Sequence, residues 1–215
     1  AGFIGCALEN RLRIVAAEHA HPDIDGVPVA APFVIVGLPR TGTTLLQTAL
    51  AAVPGLRTLL NWETRLPAQL PALLTPREIA QHRARVAREI RFVNWLSPAL
   101  AGSHEVGADA AEECNGLLLI AMQSQLLALF AGARYEDSLY ASAFRGAYEW
   151  HRRYLRALAY RQPECTWVLK APAHMASLAG LLRAYPDARV VFTHRDPVAS
   201  VASTAGLNAA MWRLV

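Results

Sequence analysis

The stretch from Phe33 to Val53 constrains the fold more than any other part of the chain. Phe33-Val34-Ile35-Val36 is wholly apolar and too short for a helix, the pattern of a strand buried on both faces. Gly37-Leu38-Pro39-Arg40-Thr41-Gly42-Thr43-Thr44 interrupts it with turn residues, and Thr43 to Val53 resumes as an apolar helix closed by Pro54 and Gly55. Strand, glycine loop and helix in that order open a helix N-terminus toward an anion. The loop has the length and glycine spacing of G-x-x-x-x-G-K-[ST], with Thr43 in the lysine position. Backbone N–H groups and the hydroxyls of Thr41, Thr43 and Thr44 still suit a phosphate, but the lysine that reaches the outer phosphates of a nucleoside triphosphate is missing. A ligand with one phosphate at the loop fits this chemistry; an ordinary glycine-rich turn is the plainer alternative.

The rest of the chain alternates in the same manner. The spacing predicts a helix over Leu8 to Glu18 and a short strand over Arg57 to Leu60, followed by a Pro-punctuated loop holding Trp62, Glu63, Arg65, Pro67 and Pro71. Helical patterns run over Pro76 to Trp95, Ala110 to Phe130 and Gly146 to Ala159. Thr166 to Leu169 reads as a strand ending at Lys170-Ala171-Pro172, then a helix from about His174 to Tyr185 and a buried strand over Ala188 to Thr193. His194-Arg195-Asp196-Pro197 turns into a last helix, with Pro197 near its first turn. The expected fold class is α/β: a single domain over residues 1–215, P-loop-like and three-layered, with a central parallel sheet flanked by helices.

Composition narrows the partners. With 53% apolar residues the chain can bury a core, and its net charge of +4 comes from basic residues scattered along the sequence. That distribution suits a compact anion and not a nucleic acid. Of 21 basic residues all but Lys170 are arginine, so a lone ammonium at the end of an apolar run stands out. Cys6, Cys114 and Cys165 are odd in number and lack C-x-x-C spacing, which argues for a reducing, cytoplasmic setting and against a disulfide framework. The most apolar run, Gly116 to Gly132, carries Gln123, Ser124 and Gln125 at its middle and reads as a buried helix and not a membrane span. No carboxylate or histidine cluster has metal-ligand spacing, so no metal is expected.

Pro39-Arg40-Thr41-Gly42-Thr43-Thr44-Leu45 resembles the loop with which sulfotransferases hold the 5′-phosphosulfate end of 3′-phosphoadenosine 5′-phosphosulfate (PAPS). Further family-like motifs follow in order. Arg195 at a strand end, with Ser203 eight positions on, is similar to the family's 3′-phosphate clamp. Lys170-Ala171-Pro172 is similar to the Lys-x-Pro segment of the bacterial and tyrosylprotein-type branches. Asn61-Trp62-Glu63-Thr64-Arg65 resembles the Glu-Thr-Arg segment of the tyrosylprotein branch, with Trp62 where that segment carries a second acid and a longer spacing from the loop.

The resemblance implies a PAPS-dependent sulfotransferase acting by in-line transfer on a hydroxyl of a small-molecule or lipid-like acceptor. Donor contacts then fall to Arg40, Thr41, Gly42, Thr43, Thr44, Arg195 and Ser203, and catalysis to Arg40, Lys170 and Glu63, the last as base. His174 at a helix start is a second candidate for the base, and a packing residue otherwise. His104, Glu105, Glu112 and Glu113 form another acidic group that lines an acceptor pocket or caps the helix near Ala110. Family members continue beyond the clamp, and only 12 residues follow Ser203, so the usual C-terminal part is expected to be missing. A homo-oligomer in which a second subunit completes the pocket is compatible with that. A P-loop kinase or other phosphotransferase, and a non-catalytic nucleotide-binding fragment of the same fold, are the competing readings.

Overall fold

A computed structural model describes residues 3–65, 70–96, 98, 107–142, 144 and 146–212. Its frame is a four-stranded, all-parallel sheet: β1 (Phe33–Val36), β2 (Leu56–Thr58), β3 (Thr166–Lys170) and β4 (Arg189–Phe192), in the order β2-β3-β1-β4. Phe33 pairs with Val168 on one side and Arg189 on the other, and Leu56 pairs with Thr166. The two central strands carry the apolar runs, and Val34 to Val36 and Trp167 to Leu169 are buried. Each such side chain removed from water contributes about 1.5–3 kcal/mol, which fixes β1 and β3 at the middle of the sheet. This is the expected three-layer α/β fold.

Helices cover the sheet. They are α1 (Phe3–Ala20), α2 (Thr43–Ala51), the single turn α3 (Asn61–Thr64), α4 (Pro76–Leu96), α5 (Asn115–Ile120), α6 (Gln125–Ala131), α7 (Ala133–Ala141), α8 (Ala147–Ala159), α9 (Ala173–Ala176), α10 (Leu178–Ala184) and α11 (Pro197–Trp212). The main core joins β1 and β3 to Leu117 and Leu118 of α5, Tyr154, Leu155 and Leu158 of α8, and Ile14 of α1. Thr75 starts α4 with a reciprocal cap: its Oγ1 accepts from Glu78 N at 3.3 Å, and Glu78 Oε2 accepts from Thr75 N at 2.8 Å.

Four local expectations are corrected. The strand expected over Arg57 to Leu60 is shorter and is followed directly by α3 where a loop was read, because Glu63 Oε2 accepts from Leu60 N at 3.0 Å and closes a turn. The helix expected over Ala110 to Phe130 is broken. Residues 108–110 turn and residues 111–113 pass the end of β2 without helix, with Leu60 bridged antiparallel to Ala111, and Met122 (φ 57°) separates α5 from α6. Ser124 restarts the helix by accepting from Leu126 N at 3.2 Å. The helix expected over His174 to Tyr185 is likewise split, at Ser177. The strand expected to be buried, Ala188 to Thr193, is β4 at the sheet edge: Arg189 and Phe192 are exposed and Val190 and Val191 only partly covered. His104, Glu105 and Pro67 lie outside the described residues.

Candidate functional site

Open parallel sheets present their ligand groups at the carboxyl ends of the strands. Here the ends of β1, β3 and β4 converge. The loop after β1 is closed against β4 by Thr41, whose Oγ1 donates to Leu38 O at 2.7 Å and shares a hydrogen bond with Thr193 Oγ1 at 2.7 Å. Gly37 permits this approach, since a Cβ there would lie 2.9 Å from the carbonyl oxygen of Thr193. Arg40 (φ 68°) and Gly42 (φ 87°) are both left-handed and bend the chain into α2. The conformation is ordinary for Gly42 and costs about 1–3 kcal/mol for Arg40, strain of a kind that gathers at ligand sites.

The α11 helix holds the outer side of this loop. Asp196 Oδ1 accepts from Val198 N at 3.0 Å and caps its first turn behind Pro197. Arg195 donates to Arg40 O at 3.1 Å, and Ser203, two turns into the helix, accepts from Arg40 Nε at 3.0 Å. Arg40, Thr41, Gly42, Thr43, Thr44, Arg195 and Ser203 are thus brought together. A cavity of about 310 Å³ lies among them, lined by Arg40, Gly42, Thr43, Thr44 and Arg195 with Glu113 and Pro172.

Lys170 ends β3 and is 1% exposed. Its Nζ donates to Glu113 Oε1 at 2.7 Å and to Thr44 Oγ1 at 3.3 Å, so the ammonium joins the loop helix to a carboxylate. Glu113 arrives on the non-helical segment 108–114, which is stitched across the sheet end. Cys114 N donates to Lys170 O at 2.8 Å, Glu112 N to Leu59 O at 2.9 Å, and buried Gln47 reaches Glu112 O at 3.0 Å. Burial pushes the Glu112 carboxyl up. The other Glu113 oxygen accepts from Asn115 Nδ2 at 2.6 Å. Glu113 also borders a second cavity of about 660 Å³, walled by Leu38, Leu126, Tyr140, Met175 and Leu207. It therefore stands between the two spaces.

Glu63 sits elsewhere. It is 2% exposed, ion-paired with Arg57, accepts from Leu60 N, and is absent from the described lining of either cavity. Burial raises its carboxyl above the usual range, partly offset by the Arg57 guanidinium. Arg57 itself lies over the Trp167 ring, 4.6 Å from its centre, so Glu63 belongs to the packing of β2 on β3. His174 is fully buried, meets Tyr148 Oη at 3.0 Å, and is held neutral by burial and by Lys170, its pKa lowered to about 3. Sequence reasoning ranked Glu113 below Glu63 because adjacent acids before an apolar run look like a helix cap. Only the crossing of segment 108–114 over Lys170 singles it out.

Phosphate loop, strand-end cations and parallel sheet define a protein of the P-loop-like fold. Within that class the Sulfotransferase family profile matches residues 32–213, and the chain belongs to the sulfotransferase family. Among solved structures it is similar to sulfotransferase STF9 from Mycobacterium avium, with 28% identity and a TM-score of 0.81 over 98% of this chain and 54% of that one. It is also similar to sulfotransferase STF1 from Mycobacterium tuberculosis H37Rv, with 29% identity and a TM-score of 0.76 over 95% of this chain and 61% of that one. The chain thus spans little more than half the length of these solved chains. No curated protein sequence matches it significantly. Among the described residues no helix is long and apolar enough to cross a membrane.

Proposed function

We propose that the chain transfers a sulfuryl group from PAPS to an acceptor hydroxyl. The observation that carries this reading is Lys170, the one lysine of the sequence, bridging Thr44 of the phosphate loop and the Glu113 carboxylate. The donor's 5′-phosphosulfate lies on the loop against the backbone of Gly42 and the hydroxyls of Thr41, Thr43 and Thr44. Arg195 and Ser203 take the 3′-phosphate, and no metal is required. The bond between sulfur and the bridging oxygen breaks as the acceptor oxygen joins sulfur. Charge then collects on the bridging oxygen, where Lys170 and Arg40 meet it, and adenosine 3′,5′-bisphosphate leaves.

The acceptor proton needs a base within hydrogen-bond reach. Position favours Glu113 over Glu63, because Glu113 borders both cavities while the Glu63 carboxylate is engaged by Arg57 and Leu60 N. The larger cavity, with Leu126, Tyr140 and Met175 in its wall, suits an apolar or lipid-like alcohol. Its described lining draws on Glu113, Asn115 and α6 together with α7, α9 and α11. The cytoplasm remains the proposed setting, on the strength of free Cys114 and Cys165.

Calorimetry tests the donor site. Adenosine 3′,5′-bisphosphate should bind tightly, Arg195→Ala should weaken it, and ATP with magnesium should give little heat. Preference for ATP would move the chain to the phosphotransferase reading, and binding of neither would leave a non-catalytic fold.

A further inference from the structure

Next to the Lys170–Glu113 pair lies a group of side chains that sulfuryl transfer does not use. Cys114, His151 of α8 and His174 of α9 are fully buried, and one ligand atom from each lies within 4.8 Å of the others. Each imidazole meets a tyrosine hydroxyl through Nδ1: His151 with Tyr185 at 2.7 Å, and His174 with Tyr148 at 3.0 Å. Neither Nε2 has a hydrogen-bond partner. Both nitrogens are thus left over in the core, where buried polar atoms are normally satisfied. We propose that Cys114, His151 and His174 form a buried three-coordinate site for one soft closed-shell cation, Cu(I) or Zn(II), with Tyr148 and Tyr185 orienting the rings.

The chemistry of the set supports this. A metal takes imidazole in its neutral form, through a ring nitrogen that no other group occupies. A tyrosine on Nδ1 is the outer partner that leaves the Nε2 lone pair to the ion. Cys114 is a free, buried cysteine. Binding exchanges the S–H bond for a sulfur–metal bond and releases one proton per ion, with no change of oxidation state. Charge separates the two ions. Cu(I) with one thiolate and two neutral imidazoles sums to zero. Zn(II) leaves a net positive charge in the core near Lys170, and it ordinarily asks for a fourth ligand. A trigonal set of two histidines and one cysteine is one that copper accepts, so Cu(I) is the expected occupant. The set escaped sequence reading because its members lie on three separate elements, with no motif spacing.

The site also bears on the reaction centre. Residues 113–114 and 170–174 supply both the Lys170–Glu113 pair and two of the three ligands, and Cys114 N already bonds Lys170 O at 2.8 Å. A bound ion ties these two stretches together beside the cation and the carboxylate.

The test titrates the reduced, metal-free 215-residue chain with Cu(I) against bathocuproine disulfonate, and in a second arm with Zn(II) against a chromophoric chelator. Expected are uptake of one ion per chain, release of one proton, a raised thermal midpoint, and an X-ray absorption shell of one sulfur and two nitrogens. Cys114→Ser and His151→Gln should lose uptake by at least about a hundredfold, in line with the loss of a direct ligand. The absorption shell, read on the unaltered chain, decides the matter even if a variant fails to fold. Uptake of Zn(II) alone, with the same sulfur and nitrogen shell, would keep the site and change its ion. Failure to take up either ion, or a shell without sulfur, would overturn the proposal. Bisphosphate binding is measured separately, so failure here leaves the transferase reading intact.

Discussion

Replacing Lys170 by methionine tests the reaction centre most directly. Methionine keeps the unbranched stem that fills the end of β3 and removes only the charge, so the buried volume hardly changes. At 1% exposure the ammonium is shielded from water. Two unit charges about 4 Å apart then interact at roughly 4 kcal/mol at an effective dielectric near 20. Removal of one preorganised donor from such a site costs about 10²–10³ in turnover, or ~2.7–4 kcal/mol. Turnover of Lys170→Met in a sulfuryl-transfer assay with labelled PAPS should fall by that factor. Affinity for adenosine 3′,5′-bisphosphate should change little, because the proposed pose places the product's phosphates on the loop, Arg195 and Ser203. Loss of the ion pair leaves Glu113 with Asn115 Nδ2 and a side chain 24% exposed to solvent. The stability cost should therefore fall below the ~3–5 kcal/mol of a fully buried broken pair. A variant that melts normally and turns over within about tenfold of the parent, a barrier change under ~1.4 kcal/mol, would remove Lys170 from the mechanism.

Glu113→Gln should lower turnover by about 10²–10⁴ while Glu63→Gln acts mainly on stability, and the reverse pattern in paired kinetic and melting assays would return the base to Glu63. Gly37→Ala should destabilise the fold by about 1–3 kcal/mol in urea titrations, because its Cβ would press on the Thr193 carbonyl at 2.9 Å. His151 and His174 are both held below the usual histidine value of 6.5, so in the metal-free chain the unfolded state takes up protons that the folded state refuses. The stability they contribute is fully present above pH 6.5 and drains as the pH falls toward the folded value, about 3 for His174. The slope between pH 6 and 5 approaches ~2.7 kcal/mol per unit for two groups, and denaturation curves that stay flat over that range would contradict it.

What the sequence makes legible is what is local. The strand at Phe33, the glycine loop ending at Gly42, the lysine at a strand end and the Pro197 helix start are each written within a few residues, and all appear in the structure. The misread parts depend on distant partners. Met122 breaks a helical pattern because the Tyr135 hydroxyl donates to its carbonyl at 2.8 Å. The strand at Arg189 looks buried by composition but pairs only with β1 among the described residues. Which carboxylate meets Lys170 could not be read locally, since segment 108–114 carries Glu113 there through long-range backbone bonds while Glu63 is held by Arg57.

The edge position of β4 has a mechanical consequence. Elements paired on one side are the first to open in native fluctuations, and β4 carries Thr193, Arg195 and, through α11, Ser203. One opening event therefore detaches all three at once, while the loop backbone and Lys170 stay on the two central strands. If the donor binds as proposed, the loop would in that interval keep its phosphate contacts while the 3′-phosphate contacts of Arg195 and Ser203 are lost. On the proposed donor site, discrimination for the 3′-phosphate should therefore fade on warming before the fold itself melts.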